Sequence, residues 1–277
     1  MANSQKAAPA KKQGFQGVRN AIWIIVLCFI AGVCFYQFVL GNPSNFQGGD
    51  NANAPLPGNL LGTIYKGGIV VPVIITLLFT AIALSVERSL ALGNANGKGK
   101  LAKFVADVKA ALATGDIDKA QQLCDAQQGV VGNVVTASLK AYKEMEATSG
   151  IKKEQKVSKI QQAHEEAVQL EMPTLQMNMP ILATLVTLGT LTALFGTVVG
   201  MIKSFAALAA GGGGDSLELS TGISEALVNT ASGILTSWVA VIAYNFYSNK
   251  IDKLTYALDE VGYTISKTYE ANHTEEA

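Results

Sequence analysis

Four stretches of this 277-residue chain run for twenty residues or more without a single Asp, Glu, Lys or Arg, and they limit what it can fold into. Ala21–Leu40 and Gly67–Val86 are twenty residues each, Met172–Ile202 is 31 and Ala226–Asn249 is 24. A helix rises 1.5 Å per residue, so about 20 residues cross the roughly 30 Å hydrocarbon core of a bilayer. Runs this long are rarely the core helices of a soluble domain, whereas Pro72 and the many Gly, Ser and Thr residues are tolerated inside membrane helices. Charged residues make up 15% of the chain, against about 25% in an average soluble domain, which argues against a soluble enzyme. The expectation is an all-α, polytopic membrane protein with about four transmembrane helices and long helices extending into the cytoplasm. Lys11, Lys12 and Arg19 ahead of the first run also suit a signal peptide. Its uncharged stretch is long for one, and no small-x-small cleavage site stands before a soluble domain, so it reads as a membrane helix.

Basic residues set the expected orientation. With the N-terminus in the cytoplasm, 19 of the 21 Lys and Arg residues stay inside and only Lys66 and Lys203 face outward. Both termini are then cytoplasmic. The boundaries that follow are a cytoplasmic tail over 1–20, an additional transmembrane helix over 21–40 and a periplasmic loop over 41–66. A transmembrane helix over 67–92, a cytoplasmic helical region over 93–171 and a transmembrane helix with a cytoplasmic extension over 172–209 come next. A periplasmic loop over 210–220, a transmembrane helix over 221–249 and a cytoplasmic helical tail over 250–277 complete the chain. The Gly-, Asn- and Pro-rich loop over 41–66 is expected to be an irregular, mobile spacer, and Gly211–Gly214 with Asp215 to be a break between two long helices.

Half of the 42 charged residues lie between Lys98 and Glu171, eleven lysines against ten acids. No extended single-sign block occurs, so nucleic acid is excluded as a partner. Leu101, Phe104, Val105, Val108, Ala111 and Leu112 recur at helical spacing, and Thr114-Gly115-Asp116 reads as a helix stop followed by a new cap. The polar run from Ile151 is expected to lead directly into the third membrane segment. Cys28, Cys34 and Cys124 form no CxxC pair, and the two histidines, His164 and His273, are expected at the surface. No metal, cofactor or catalytic constellation is expected.

The last two membrane segments carry small and hydroxyl residues in stripes. Thr190, Ala193, Thr197, Gly200 and Ser204 share one face of the third, with Gly189 and Gly196 beside them. Thr230, Gly233, Ser237, Ala240 or Val241, and Tyr244 stripe the fourth, accompanied by Glu225, Asn229 and Thr236. Two readings stay open. Small residues let membrane helices pack closely, and the same residues suit the wall of a pore or proton relay. Packing explains Gly233 and Ala240 but not Glu225, since an acid near the hydrocarbon boundary needs a wet or paired environment.

The pair LFGTVVGMIKSF and ISEALVNTASGILTSWVAVIAYN resembles the paired membrane motifs of the MotA/TolQ/ExbB proton-channel family, most nearly its ExbB branch, which energises TonB. The likeness runs from about Gly67 to the C-terminus and includes the order of elements, while 21–40 is an addition in front. Thr190 and Ala193, and Trp238 and Val239, stand near positions where the family often has Pro or Gly. The resemblance implies that Thr197 and Thr230 line a channel and that Glu225 is the family's acid ahead of the second threonine. It leaves Asn229 and Ser237 as further lining candidates. It also implies a homo-oligomeric ring, pentameric in the family, around an ExbD-like single-span partner that carries a membrane aspartate, with a TonB-like protein receiving the work. A TolQ-like subunit for envelope maintenance and a non-conducting membrane scaffold are the alternatives. Threonine does not titrate in this range, so the acid that carries the proton is expected from the partner.

Overall fold

The computed structural model describes residues 17–18, 20–210 and 216–273. The basic tail ahead of Gly17, Arg19, the Gly211–Asp215 connection and the last four residues lie outside the described residues. Every long element is helical: α1 (Ala21–Cys34), α2 (Leu60–Tyr65), α3 (Val71–Asn96), α4 (Leu101–Ala113), α5 (Ile117–Gln127), α6 (Gly129–Ala147), α7 (Lys153–Gln176), α8 (Met179–Ala210) and α9 (Ser216–Asn272). Four helical stretches, Ala21–Leu40, Gly68–Ala113, Lys153–Ala206 and Leu219–Asn272, are long and apolar enough to cross a membrane. The fold is all-α and polytopic, and each stretch contains one of the four uncharged runs, Gly67 alone falling just outside.

The chain divides into two compact units. One comprises residues 18–87 and 178–247 and holds the apolar helices. α1 continues as a π-helical segment over Phe35–Leu40. Ile22, Trp23, Leu27 and Phe38 are exposed on its surface, the pattern of a helix that presents apolar side chains to lipid. Where α1 meets α3 the helices touch closely, since a Cβ on Gly32 would stand 2.8 Å from Thr76 Oγ1. Leu40, Val71 and Ile75 form a small core there with Phe35, Tyr65 and Phe79 packed against it.

The segment over 41–66 is folded, which corrects the expectation of an irregular spacer. The buried Asn45 donates from Nδ2 to the carbonyls of Val39 and Leu40, at 2.9 and 3.0 Å, satisfying acceptors that the end of a helix leaves open. Gln47 N and Leu56 N donate to Ala54 O and Asn45 O at 3.0 Å, clamping Phe46 opposite Pro55. Lys66 Nζ reaches the carbonyls of Asn51 and Ala52, both at 2.9 Å. Tyr36 stacks on Tyr65 with ring centroids 4.6 Å apart. Asparagine side chains and two tyrosines supply here the cohesion that an apolar core supplies elsewhere.

The third uncharged run is broken. Between α7 and α8, Asn178 adopts φ +61°, a conformation Asn tolerates better than most side chains. Its Nδ2 donates to Val18 O at 3.2 Å. Pro180 then falls in the first turn of α8, where its missing N–H costs nothing. The polar helix therefore does not lead directly into the apolar one, and the apolar helix begins at Met179 rather than Met172.

The other unit comprises residues 88–177 and 248–273 of the described chain. α4 buries Phe104, Val105, Val108, Ala111 and Leu112 and leaves Leu101 half-buried. Asp116 caps α5 by accepting from Lys119 N at 2.9 Å, just after Gly115 at φ +72°, so the stop-and-cap signal held. Val131, Val134, Val135 and Leu139 of α6 and Ile160 of α7 are buried, as are Val261 and Ile265 of α9. Tyr142 and Tyr269 meet edge to face at 4.9 Å, and Tyr269 donates to Met145 O at 3.1 Å.

Both histidines depart from the surface expectation. His164 is buried, with Nδ1 2.8 Å from Ser138 Oγ and its ring lying where a Cβ on Gly262 would stand. The charged helix around it misled, because the residues that cover it, Ser138 of α6 and Gly262 of α9, lie outside its own helix. Burial holds this imidazole below its ordinary value against the pull of the Asp259 and Glu165 carboxylates. His273 is half-buried, stacked on Tyr269 at 4.1 Å between centroids.

Candidate functional site

α8 and α9 lie against each other along the two small-residue stripes, in antiparallel register. A Cβ on Gly189 would stand 3.0 Å from Gly233 O, and one on Gly200 would stand 2.8 Å from Gly222 O. Glycine at these places lets backbone approach backbone, as in close-packed membrane helices. Ala193 faces Gly233, and Ser204 faces Gly222. The packing reading thus accounts for the small residues of both stripes.

The hydroxyl and acid residues form a polar line within that seam. At the level of Gly189, Ser237 Oγ donates to Val186 O at 2.8 Å and lies 3.0 Å from Thr190 Oγ1. Further along, Thr197 Oγ1 and Thr230 Oγ1 are 2.5 Å apart. Each also lies 3.0 Å from a carbonyl four residues back in its own helix, Ala193 O for Thr197 and Ala226 O for Thr230. A hydroxyl carries one proton and two lone pairs. When Thr230 donates to Ala226 O it accepts from Thr197, and the reverse holds, so the pair has two directions but no charged state. Both threonines are half-buried, whereas Asn229, Glu225 and Ser237 are buried.

Asn229 bonds to the turn ahead of α3. Its Nδ2 donates to Gly67 O at 2.9 Å. Its Oδ1 is buried with no hydrogen-bond partner among the described residues. A Cβ on Gly196 would collide with the Asn229 side chain, so glycine there makes the room for it. Ser237 is held by α8 carbonyl and hydroxyl oxygens in the same way. Within one chain Asn229 and Ser237 are both buried, each bonded to a backbone carbonyl.

Glu225 has a partner that the sequence reading passed over. Lys203 Nζ lies 2.8 Å from Glu225 Oε1 and 3.1 Å from Oε2. The Glu225 side chain is 7% exposed and that of Lys203 53%. Gly68, at φ +79°, bends the chain against the carboxylate, and a Cβ there would overlap Glu225 Oε1. A signal for the pair existed. Lys203 comes six residues after Thr197 and Glu225 five before Thr230, so an antiparallel hairpin that pairs the threonines brings the two charges together. Among the described residues, no group of three His, Cys, Asp or Glu side chains gathers to hold a metal ion.

Comparison with known proteins fits this geometry. Residues 127–260, which include both stripes, match the MotA/TolQ/ExbB proton channel family. The chain is 31% identical to the Tol-Pal system protein TolQ of Pseudomonas aeruginosa over 124 residues, 45% of this chain and 54% of that protein. With the TolQ of Haemophilus influenzae it shares 28% over 203 residues, 71% of this chain and 87% of that one. With the putative biopolymer transport protein ExbB-like 1 of Synechocystis sp. it shares 29% over 189 residues, 67% and 69% of the two chains. The resemblance to the family holds, while its placement nearest the ExbB branch is not distinguished from a TolQ relation. Over residues 127–260, just under half of its length, this chain is similar to the MotA/TolQ/ExbB proton channels, and its order of apolar helices is compatible with that similarity.

Proposed function

We propose that this chain is a non-catalytic stator subunit that forms the wall of a proton channel and converts proton-motive force into work on the cell envelope. The observation that carries the reading is the Thr197–Thr230 hydroxyl pair, half-buried in the α8–α9 seam, with Glu225 five residues before Thr230 on α9. The pair can orient water or accept a hydrogen bond but cannot hold a proton as a charge. The titrating acid therefore comes from a partner, a single-span chain with a membrane aspartate enclosed by a ring of copies of this one, five in number by family resemblance. Each proton descending 100 mV releases about 2.3 kcal/mol, so several protons together bias two conformations of such a ring. The wall lies in the inner membrane with both termini cytoplasmic, an orientation supported by the placement of basic residues.

Of the two branches, work of the Tol-Pal type is favoured, because the match to the Haemophilus influenzae protein extends over 71% of the chain. Work of the ExbB type, with an ExbD-like partner and TonB, is the second reading, supported by the Synechocystis relative. Complementation separates them: rescue of envelope integrity in a strain lacking TolQ supports the first, and rescue of TonB-dependent uptake in a strain lacking ExbB supports the second. The channel reading is tested by reconstituting the chain in liposomes with and without its co-purified single-span partner. Proton flux is expected from the complex alone, and full flux from the isolated chain overturns the reading.

A further inference from the structure

The Lys203–Glu225 pair goes beyond what a proton wall requires. A buried carboxylate with Gly68 folded against it offers two oxygen ligands, and about one turn along the same helix Asn229 carries a buried Oδ1 with no hydrogen-bond partner among the described residues. Oxygen atoms of this kind, carboxylate, amide and unwound backbone, are what membrane proteins use to hold alkali cations. Here the carboxylate is not free for that use. Both of its oxygens lie within hydrogen-bonding distance of one ammonium, at 2.8 and 3.1 Å. A metal ion reaching them must displace Lys203 or stand beside its positive charge, and discrimination by a built-in repulsive element is a general route to specificity.

We propose that Lys203 is a specificity-determining residue: by occupying the Glu225 carboxylate it denies sodium and other alkali cations a site at this end of the α8–α9 seam. The inference rests on the proton-channel reading for its consequence in transport, but the occupancy itself is a property of the chain. Removing the ammonium leaves a buried carboxylate without its counter-charge, and sodium is the abundant ion able to compensate it.

The test uses the full chain in detergent, with its partner where that co-purifies, and sodium chloride against choline chloride at equal ionic strength. Wild type and Lys203→Arg are expected to melt at the same temperature in both salts. Lys203→Gln and Lys203→Asn are expected to gain a sodium-specific rise in Tm of about 2–4 °C, and Glu225→Gln added to either removes it. Equal melting of both amide variants in the two salts overturns the proposal, as does a sodium-specific rise already present in wild type. In liposomes, sodium is expected to slow proton flux through the Lys203→Gln complex and not through wild type. Absence of flux from wild type counts against the channel reading alone, since the melting comparison still reports on Lys203.

Discussion

The α8–α9 seam and the core shared by α4, α6, α7 and the end of α9 both hold helices together, with opposite materials. In the seam the contacts are Gly189, Gly200, Gly222 and Gly233 against backbone and Gly196 against the Asn229 side chain, with hydroxyls bonded across. In the other unit they are Phe104, Val108, Leu139 and Ile160, all buried. The difference follows from the surroundings each unit is built for. In water, burying a large apolar side chain contributes about 1.5–3 kcal/mol. Among lipid tails that gain vanishes, so association relies on close approach and interhelical hydrogen bonds. The seam is therefore sensitive to added volume and the bundle to removed volume.

The largest effects come from breaking each region by its own rule. Gly233→Leu puts a side chain against the Ala193 Cβ and within 2.6 Å of Gly189 O at its first atom, and is expected to destabilise by about 3 kcal/mol, the upper end for overpacking. Leu139→Ala empties a fully buried site and is expected to cost about 3 kcal/mol by leaving a cavity. Thermal denaturation in detergent checks both, and small effects from either refute the contrast.

Ser138→Ala sharpens the comparison at the polar level. It strips the buried His164 Nδ1 of its partner and is expected to cost about 1–2 kcal/mol. The pH dependence has a definite sign. Burial lowers the His164 pKa below its ordinary 6.5, so the unfolded chain binds the proton more readily than the folded one. The stability of this unit is then full above 6.5 and declines as pH falls from there through the folded value. His164→Gln flattens that decline in a pH series of melting temperatures, and an unchanged slope refutes the assignment.

Thr230→Ala is expected to cost only about 0.6 kcal/mol, the average for an interhelical membrane hydrogen bond, yet to reduce proton flux by about tenfold or more while the complex still assembles. Equal flux through assembled Thr230→Ala and wild-type complexes removes both threonines from the pathway. Smallest of all is Lys109→Ala, which breaks a part-exposed pair with Glu260 at 2.7 Å and is expected to change stability by about 0.5 kcal/mol or less. A double-mutant cycle with Glu260→Ala measures it.

The uncharged runs, the stop at Thr114–Asp116 and the two small-residue stripes were legible because each is written in local periodicity. Thr197 and Thr230 were legible as a pair because two motifs of the same chain carry them at matching places. The folded segment over 41–66 was not legible, since the side chains of Asn45, Asn51 and Lys66 hold it by bonds to carbonyls five to fifteen residues away, outside any helical or strand period, and composition alone reports Gly, Asn and Pro as a loop. His164 was misplaced for the same reason: its burial is made by Ser138 and Gly262, which lie 26 residues before it and 98 after it.

The sequence alone determined that this is an all-α chain with four helices able to cross a membrane, because length and absence of charge are properties of a segment by itself. It determined the stripes along those helices, because spacing fixes which residues share a face. Only the tertiary structure decided what each stripe meets. It turned Asn229 and Ser237 inward, left Thr197 and Thr230 facing each other half-buried, and set Lys203 on the Glu225 carboxylate. The partner of a buried polar group depends on the register of two helices, and register is fixed by the close approach of backbones at glycine, which no single segment carries.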